Sequence, residues 1–293
     1  MYDTILVPTD GSEGAEVAAR HGRTLAAAFD SRIHLLSVVD ERSYSSDLAD
    51  LDPAIGDQRE MLEQQAIERV ADIEDLASDS SITCHTAVEH GVPHEAILSH
   101  VTDHDIDLVS MGSHGRTGLE RLLLGSVTER VVRTSDVPVL TSRLAPADES
   151  GYDQILIPTD GSEAATAAID HAVAIAEQYD ATIHALSVVD SSALSGAYDV
   201  GTGIHDVLQS LEEGSEQAVA AVEERCTDRD VDVVTNVAEG SPYRVIQQYI
   251  DDEGISLVAM GTHGRTGLER YLLGSMTERV IRTSDVPVLT VRG

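Results

Sequence analysis

The sequence predicts an α/β protein of two tandem, doubly wound (Rossmann-like) domains, and three observations carry that prediction. The string MGSHGRTGLERLLLGSVT at Met111–Thr128 returns 149 positions later as MGTHGRTGLERYLLGSMT at Met260–Thr277, and self-similarity at a fixed period marks a duplicated unit. Short apolar runs alternate with helical apolar spacing through both copies, the pattern of a parallel sheet with helices on both faces. Each copy also opens on an apolar run that ends in PTDGS, at Pro8–Ser12 and at Pro158–Ser162. A chain of 293 residues is long for one core and comfortable for two.

Taken in order, Thr4–Val7 reads as a strand. An Ala-rich helix follows from Ser12 to Phe29, with Glu13 and Glu16 early in it, where carboxylates suit the helix dipole. Arg32–Val39 is a second strand, and the polar stretch from Asp40 to Gly56 is long enough to act as a lid or cover. Gln58–Ala77 spaces Met61, Leu62, Ala66, Ile67, Val70, Ile73 and Leu76 as an amphipathic helix. Thr83–Val88 is the third strand, and Pro93 falls in the first turn of a helix running to about Thr102. Leu108–Met111, a helix over Ser126–Arg133 and a last strand at Val137–Thr141 complete the unit.

Domain 1 is thus expected over 1–143, a linker over 144–152 (LAPADESGY) and domain 2 over 153–293. The second unit repeats the pattern: strands at Gln154–Ile157, Thr182–Val189, Val231–Val237, Leu257–Met260 and Val286–Val291, helices to Tyr179, from about His205 to Cys226 and from Pro242. Its lid, 191–205, does not resemble the first.

Composition narrows the function classes. Hydrophobic residues make up 42% and aromatics 3%, without tryptophan, so the cores must be built from Val, Ile, Leu and Ala. No run approaches the roughly 20 apolar residues of a membrane span, and MYDTILVPTD leads straight into a strand without a signal segment; a cytoplasmic protein is expected. Cys84 and Cys226 fall at non-equivalent places in the repeat without CxxC spacing, so neither a disulfide framework nor a zinc site is expected. The net charge is −33 and every basic residue is Arg. Such an acidic surface repels nucleic acid and anionic membranes, and its even spread along the chain suggests the salt-rich cytoplasm of a halophile; an acidic protein of an ordinary cell is the alternative.

In a doubly wound sheet, ligands bind beyond the carboxyl ends of the strands where the order reverses. If the first and fourth strands flank that point, PTDGS faces the glycine string. Glycines allow close backbone approach to an anion, and Gly125–Ser126 sets a helix N-terminus against the same place, which together describe a phosphate cradle. Arg116, Arg121, Arg130 and Arg133, with Arg265, Arg270, Arg279 and Arg282, put eight of the 19 arginines into two short windows. A tight turn with a helix cap would also account for the glycines. Asp10 and Asp160 are either Asx turns or carboxylates for ribose or a phosphate-bound metal, and His114 and His263 either phosphate donors or exposed loop histidines.

These residues resemble the universal stress protein family in its ATP-binding, tandem form. The family's motif of glycine, two residues, glycine, nine residues, then glycine and Ser or Thr is matched by Gly112, Gly115, Gly125, Ser126 and again by Gly261, Gly264, Gly274, Ser275. The resemblance implies a five-stranded parallel sheet in the order 3-2-1-4-5 in each half and ATP, with Mg2+, at the predicted crevice. Asp10 would meet the ribose and the backbone of Val38 the adenine, beside Pro8 and Thr9. Gly112, Ser113, His114, Gly115, Arg116, Thr117 and Gly118 would hold phosphates together with Gly125, Ser126, Val127 and Thr128. In the second half the matching positions are Pro158, Thr159, Asp160 and Val188, then Gly261, Thr262, His263, Gly264, Arg265, Thr266 and Gly267, with Gly274, Ser275, Met276 and Thr277. Arg116 and Arg265 stand where some relatives carry Lys. The resemblance also implies that the halves pair through their last strands as an internal pseudo-dimer, with wider assembly open.

Three functions compete: an ATP-binding regulator or sensor of stress, a slow ATPase or phosphotransferase, and a structural pseudo-dimer with empty loops. No HxGH or SGGxDS signature and no GxSxG elbow occurs, and the absence of Lys excludes a Walker loop. No catalytic residue and no metal ligand is assigned.

Overall fold

The computed structural model describes residues 1–43, 53–77, 82–114, 124–143, 151–190, 203–263 and 273–293, which divide into two compact units, Met1–Glu149 and Ser150–Gly293. In the first unit the chain runs β1 (Thr4–Thr9), α1 (Glu13–Phe29), β2 (Arg32–Asp40), a 3-10 turn at Glu41–Ser43, α2 (Pro53–Ala77), β3 (Cys84–Gly91), α3 (Pro93–Asp103), β4 (Leu108–Gly112), α4 (Ser126–Thr134) and β5 (Val139–Ser142). All its strand pairs are parallel and their order is β3-β2-β1-β4-β5.

The second unit repeats this with β6 (Gln154–Pro158), α5 (Glu163–Tyr179), β7 (Thr182–Val189), α6 (Gly203–Asp228), β8 (Val233–Glu239), α7 (Pro242–Asp252), β9 (Leu257–Gly261), α8 (Ser275–Thr283) and β10 (Val288–Val291). Its order is β8-β7-β6-β9-β10, again all parallel. Each half therefore has the predicted 3-2-1-4-5 sheet, with the order reversing between its first and fourth strands.

α1 and α2 pack together on one face, α3 and α4 on the other, and α5–α6 and α7–α8 do the same in the second unit. The core is aliphatic, as the composition requires: Ile5, Leu6, Leu25, Ile33, Leu35 and Leu36 are fully buried, and Ala15, Ala18, Ala19 and Ala26 let α1 lie close to the sheet. One tyrosine joins the core in each half. Tyr2 packs edge-on against Phe29 at 4.9 Å and Tyr152 against Tyr179 at 5.4 Å.

Element bounds depart from the sequence expectation in instructive places. The last strands begin at Val139 and Val288 instead of Val137 and Val286, because Ser135 and Ser284 fold the preceding residues into a side-chain turn. Ser135 Oγ donates to the Val137 carbonyl and accepts from the Val137 N–H, and Ser284 does the same at Val286. The cover expected over 40–56 is shorter, since β2 holds through Asp40 and α2 starts at Pro53, and the cover expected over 191–205 ends where α6 begins at Gly203. Beyond the 3-10 turn at Glu41–Ser43, what remains of these covers, like most of the linker, lies outside the described residues. β3 runs on to Gly91 because its parallel pairing with β2 continues to Asp40. Cys84 and Cys226 are both free thiols, and among the described residues no helix is long and apolar enough to cross a membrane.

The halves differ on the α3 and α7 faces. His34 on β2 is half-buried among His100, His85 and His104, and burial, then these neighbours and Arg32, push it down to about 4. His184, its counterpart on β7, meets the Tyr249 hydroxyl at 2.9 Å and Gln154 Oε1 at 2.6 Å.

Candidate functional site

Parallel register brings the carboxyl ends of β1, β2 and β4 to one edge of the first sheet: Pro8 pairs with Leu36 and Leu6 with Val109. A cavity of about 580 Å³ opens there, of a size that suits a small-molecule ligand. Its walls include Pro8, Thr9, Asp10, Val38, Gly112, His114, Gly125, Ser126, Val127 and Thr128. Two stretches separated by a hundred residues thus meet as the crevice argument requires.

The PTDGS turn is built from its own side chains. Thr9 Oγ1 accepts from Gly11 N–H at 3.1 Å and Asp10 Oδ1 from Ser12 N–H at 3.1 Å, with Gly11 at φ +76°. Ser12 then caps α1 through a bond from Ala15 N–H at 3.3 Å. The second half reproduces it: Gly161 to Thr159 at 3.1 Å, Ser162 to Asp160 at 2.9 Å and Ala165 to Ser162 at 3.3 Å. Asp10 therefore does hold an Asx turn, and it also stands on the cavity wall. Asp10→Asn, which keeps the acceptor, is expected to retain stability, whereas Asp10→Ala loses about 1 kcal/mol in urea unfolding.

α4 begins differently. Its N-cap is Gly125, and no side chain caps it among the described residues, so the first-turn N–H groups of Ser126, Val127 and Thr128 lack helical acceptors where they meet the cavity. Two bonds pin this end to the sheet: Gly125 N–H donates to the Ser113 carbonyl at 2.9 Å and Thr128 Oγ1 to the Gly112 carbonyl at 2.8 Å. α8 matches it with Gly274 to Thr262 at 2.8 Å and Thr277 to Gly261 at 2.8 Å, again behind an N-cap glycine without a capping side chain. Ser275 and Met276 occupy the first two positions of that helix, and Pro158 and Val188 lie at the ends of β6 and β7.

Ser113 is buried, bonds through Oγ to His114 Nδ1 at 2.9 Å and donates its N–H to the Ser142 carbonyl. Thr262 repeats this with His263 at 2.9 Å and with Val291. These side chains brace the loop's first turn. Burial, then Arg292, holds His263 below its ordinary value. Gly115, Arg116, Thr117, Gly118 and Arg121, with Gly264, Arg265, Thr266, Gly267 and Arg270, lie outside the described residues. Of the clustered arginines that are described, Arg279 stacks 3.6 Å above the Tyr243 ring and Arg282 pairs with Glu278 at 3.2 Å, so part of that cluster serves the fold.

Sequence reasoning missed what α2 and α3 add to the cavity. Leu62, Gln65 and Arg69 reach it from α2, Pro93 and Ile97 from α3, and the Arg69 side chain lies over Gly11. Arg42 and Asp40 form a bidentate pair at the mouth, 2.8 and 2.7 Å, and the guanidinium holds the Asp40 carboxyl below its usual value. His94 is lowered by burial and then by Arg130. The cavity lining thus combines aliphatic side chains at Leu36, Val38, Leu62 and Ile97 with the Asp10 carboxylate and the start of α4.

Known proteins share this architecture. The chain is 38% identical over 144 residues to a universal stress protein of Methanocaldococcus jannaschii, an alignment covering 49% of this chain and 84% of that one. It is 28% identical over 301 residues to a Mycobacterium bovis universal stress protein, covering 98% and 96%. The crystal structure of a universal stress protein from Archaeoglobus fulgidus superposes with a TM-score of 0.71 at 22% identity over 99% of this chain and 98% of that one, which shows the fold. With the profile of the Universal stress protein family matching residues 1–143 and again 151–292, the chain belongs to that family as a tandem pair of its domains.

Proposed function

We propose that this protein is an ATP-binding universal stress protein with a regulatory or sensing role, holding one adenine nucleotide with Mg2+ in each half. The observation that carries the reading is the contrast between two helix starts at one sheet edge. Ser12 caps α1, while α4 presents uncapped N–H groups to the cavity. An uncapped N-terminus with its dipole is a ready site for phosphate.

In this reading Pro8, Thr9 and Val38 flank the base and Asp10 is the carboxylate for ribose or a phosphate-bound Mg2+, an ion that takes one or two carboxylates besides phosphate oxygens. Gly125–Thr128 with the glycine string, Arg116 and Arg265 included, holds the phosphates. Asp160, Val188 and Gly274–Thr277 act alike in the second half. The lysine-free charge of −33 belongs to a protein working in concentrated salt, and pairing of the halves through their last strands belongs to the same proposal.

The test is to purify the chain in concentrated KCl, denature it, and identify and count the released nucleotide by chromatography and mass. One ATP or ADP per half is expected, and the ratio of the two reports turnover. Release of none, with no uptake of added Mg-ATP, leaves the fold and removes the function.

A further inference from the structure

On the α3 face of the first sheet four histidines stand together. His34 on β2 and His85 on β3 have ring centroids 5.1 Å apart. α3 brings His100 and its C-cap residue His104 to 5.4 and 5.3 Å from His34 and 4.1 Å from each other. His34 Nδ1 lies 3.1 Å from His100 Nε2, and one ring nitrogen from each of His34, His100 and His104 falls within 4.8 Å of the other two. We infer that these three imidazoles form a binding site for one divalent transition-metal ion of the zinc class, separate from the nucleotide cavity.

The separations suit such an ion. A tetrahedral zinc holds imidazole nitrogens at about 2.0–2.1 Å, which sets two of them roughly 3.3 Å apart. His34 Nδ1 and His100 Nε2 are close to that separation but now share a hydrogen bond, so the ion replaces it as His34 shifts its proton from Nδ1 to Nε2, and rotation of the exposed His104 side chain brings in the third. The fourth position is left to water or to His85, which is also exposed, so an ion has a path from solvent.

Glu89 supplies the orientation. Its Oε1 is 2.6 Å from His100 Nδ1, and an ionised carboxylate only accepts, so Nδ1 carries the proton and Nε2 turns its lone pair toward His34. A carboxylate behind a ligating imidazole fixes its tautomer and raises its basicity. His100 itself is 2% exposed, so neighbouring side chains hold the ring in place.

The duplicated half shows what the scaffold needs without a metal. Tyr249 stands where His100 stands in the repeat, Glu253 is the C-cap of α7 as His104 is of α3, and Val234 pairs with His184 as His85 pairs with His34. There one histidine is satisfied by a tyrosine and a glutamine. Three further histidines, converged from β3 and α3 in one half, exceed that structural need.

The test uses the full, tag-free chain, stripped of nucleotide and treated with EDTA, titrated with Zn2+ by calorimetry in excess Mg2+ to occupy surface carboxylates. Binding of one Zn2+ per chain is expected. His104→Ala, an exposed position at a helix end, is expected to weaken it at least about tenfold with an unchanged unfolding curve, while His171→Ala in the second half leaves it intact. Zn2+ should raise the melting temperature of the wild type and not of His104→Ala. Absence of saturable binding in the wild type, or binding that both His104→Ala and His34→Gln leave unchanged, overturns the assignment.

Discussion

Gly112→Ala and Gly261→Ala are each expected to destabilise their half by about 3 kcal/mol, a fall of roughly 10 °C in melting temperature. A Cβ on Gly112 would lie 2.7 Å from the carbonyl carbon of Gly14 and 2.8 Å from its oxygen, and one on Gly261 would lie 2.5 Å from the same two atoms of Ala164. Both obstacles are backbone in the first turn of α1 or α5, so no rotamer change relieves the overlap and the helix must move off the sheet. Gly274→Ala is expected to cost less, because its nearest neighbour is the Thr262 carbonyl oxygen at 3.2 Å. Chemical denaturation of the three variants checks the order. A wild-type curve for Gly112→Ala would refute the close contact of β4 with α1.

Ser126→Asp and Ser275→Asp should move stability and binding in opposite directions. Each serine is exposed at the first position of a helix without a capping side chain, where a carboxylate stabilises by about 0.5 kcal/mol through the helix dipole. The same carboxylate at contact distance from a phosphate costs about 4 kcal/mol, close to a thousandfold in affinity. The double variant should therefore melt slightly higher than the wild type and, at modest ionic strength, bind ATP close to a thousandfold more weakly. Equal affinity, measured at modest ionic strength where screening is weak, would show that no phosphate sits at these helix ends.

Much of this was legible beforehand because it depends on local pattern. Strand and helix periodicities, repeated at a fixed offset, were enough for the parallel sheets, and the PTDGS turn and glycine string marked which strand ends converge. The sequence alone did not separate the roles of the glycines. Gly112 is required first by the approach of α1, a contact between residues 14 and 112 that no spacing reveals. Nor did it show that Asp10 serves its own turn, a choice made by backbone geometry. The α2 contribution, Arg69 above all, and the histidine cluster depend on tertiary packing: His34 and His100 meet across 66 residues. The strand starts at Val139 and Val288 were missed because a serine turn looks like any apolar approach to a strand.

One helix belongs to both proposed ligand regions. α3 lines the cavity with Pro93 and Ile97 near its start and reaches the histidines with His100 in its last turn and His104 at its C-cap, one 11-residue helix and its cap joining the two. A metal ion that fixes the far end narrows the conformations open to the near end, and the free energy so transferred is symmetric. Whatever factor zinc applies to nucleotide affinity, nucleotide must apply to zinc affinity. Among the described residues the second half, with Tyr249 in place of His100, shows no matching histidine cluster, so metal availability would act on one of two otherwise repeated sites and turn a duplicated binder into an asymmetric one.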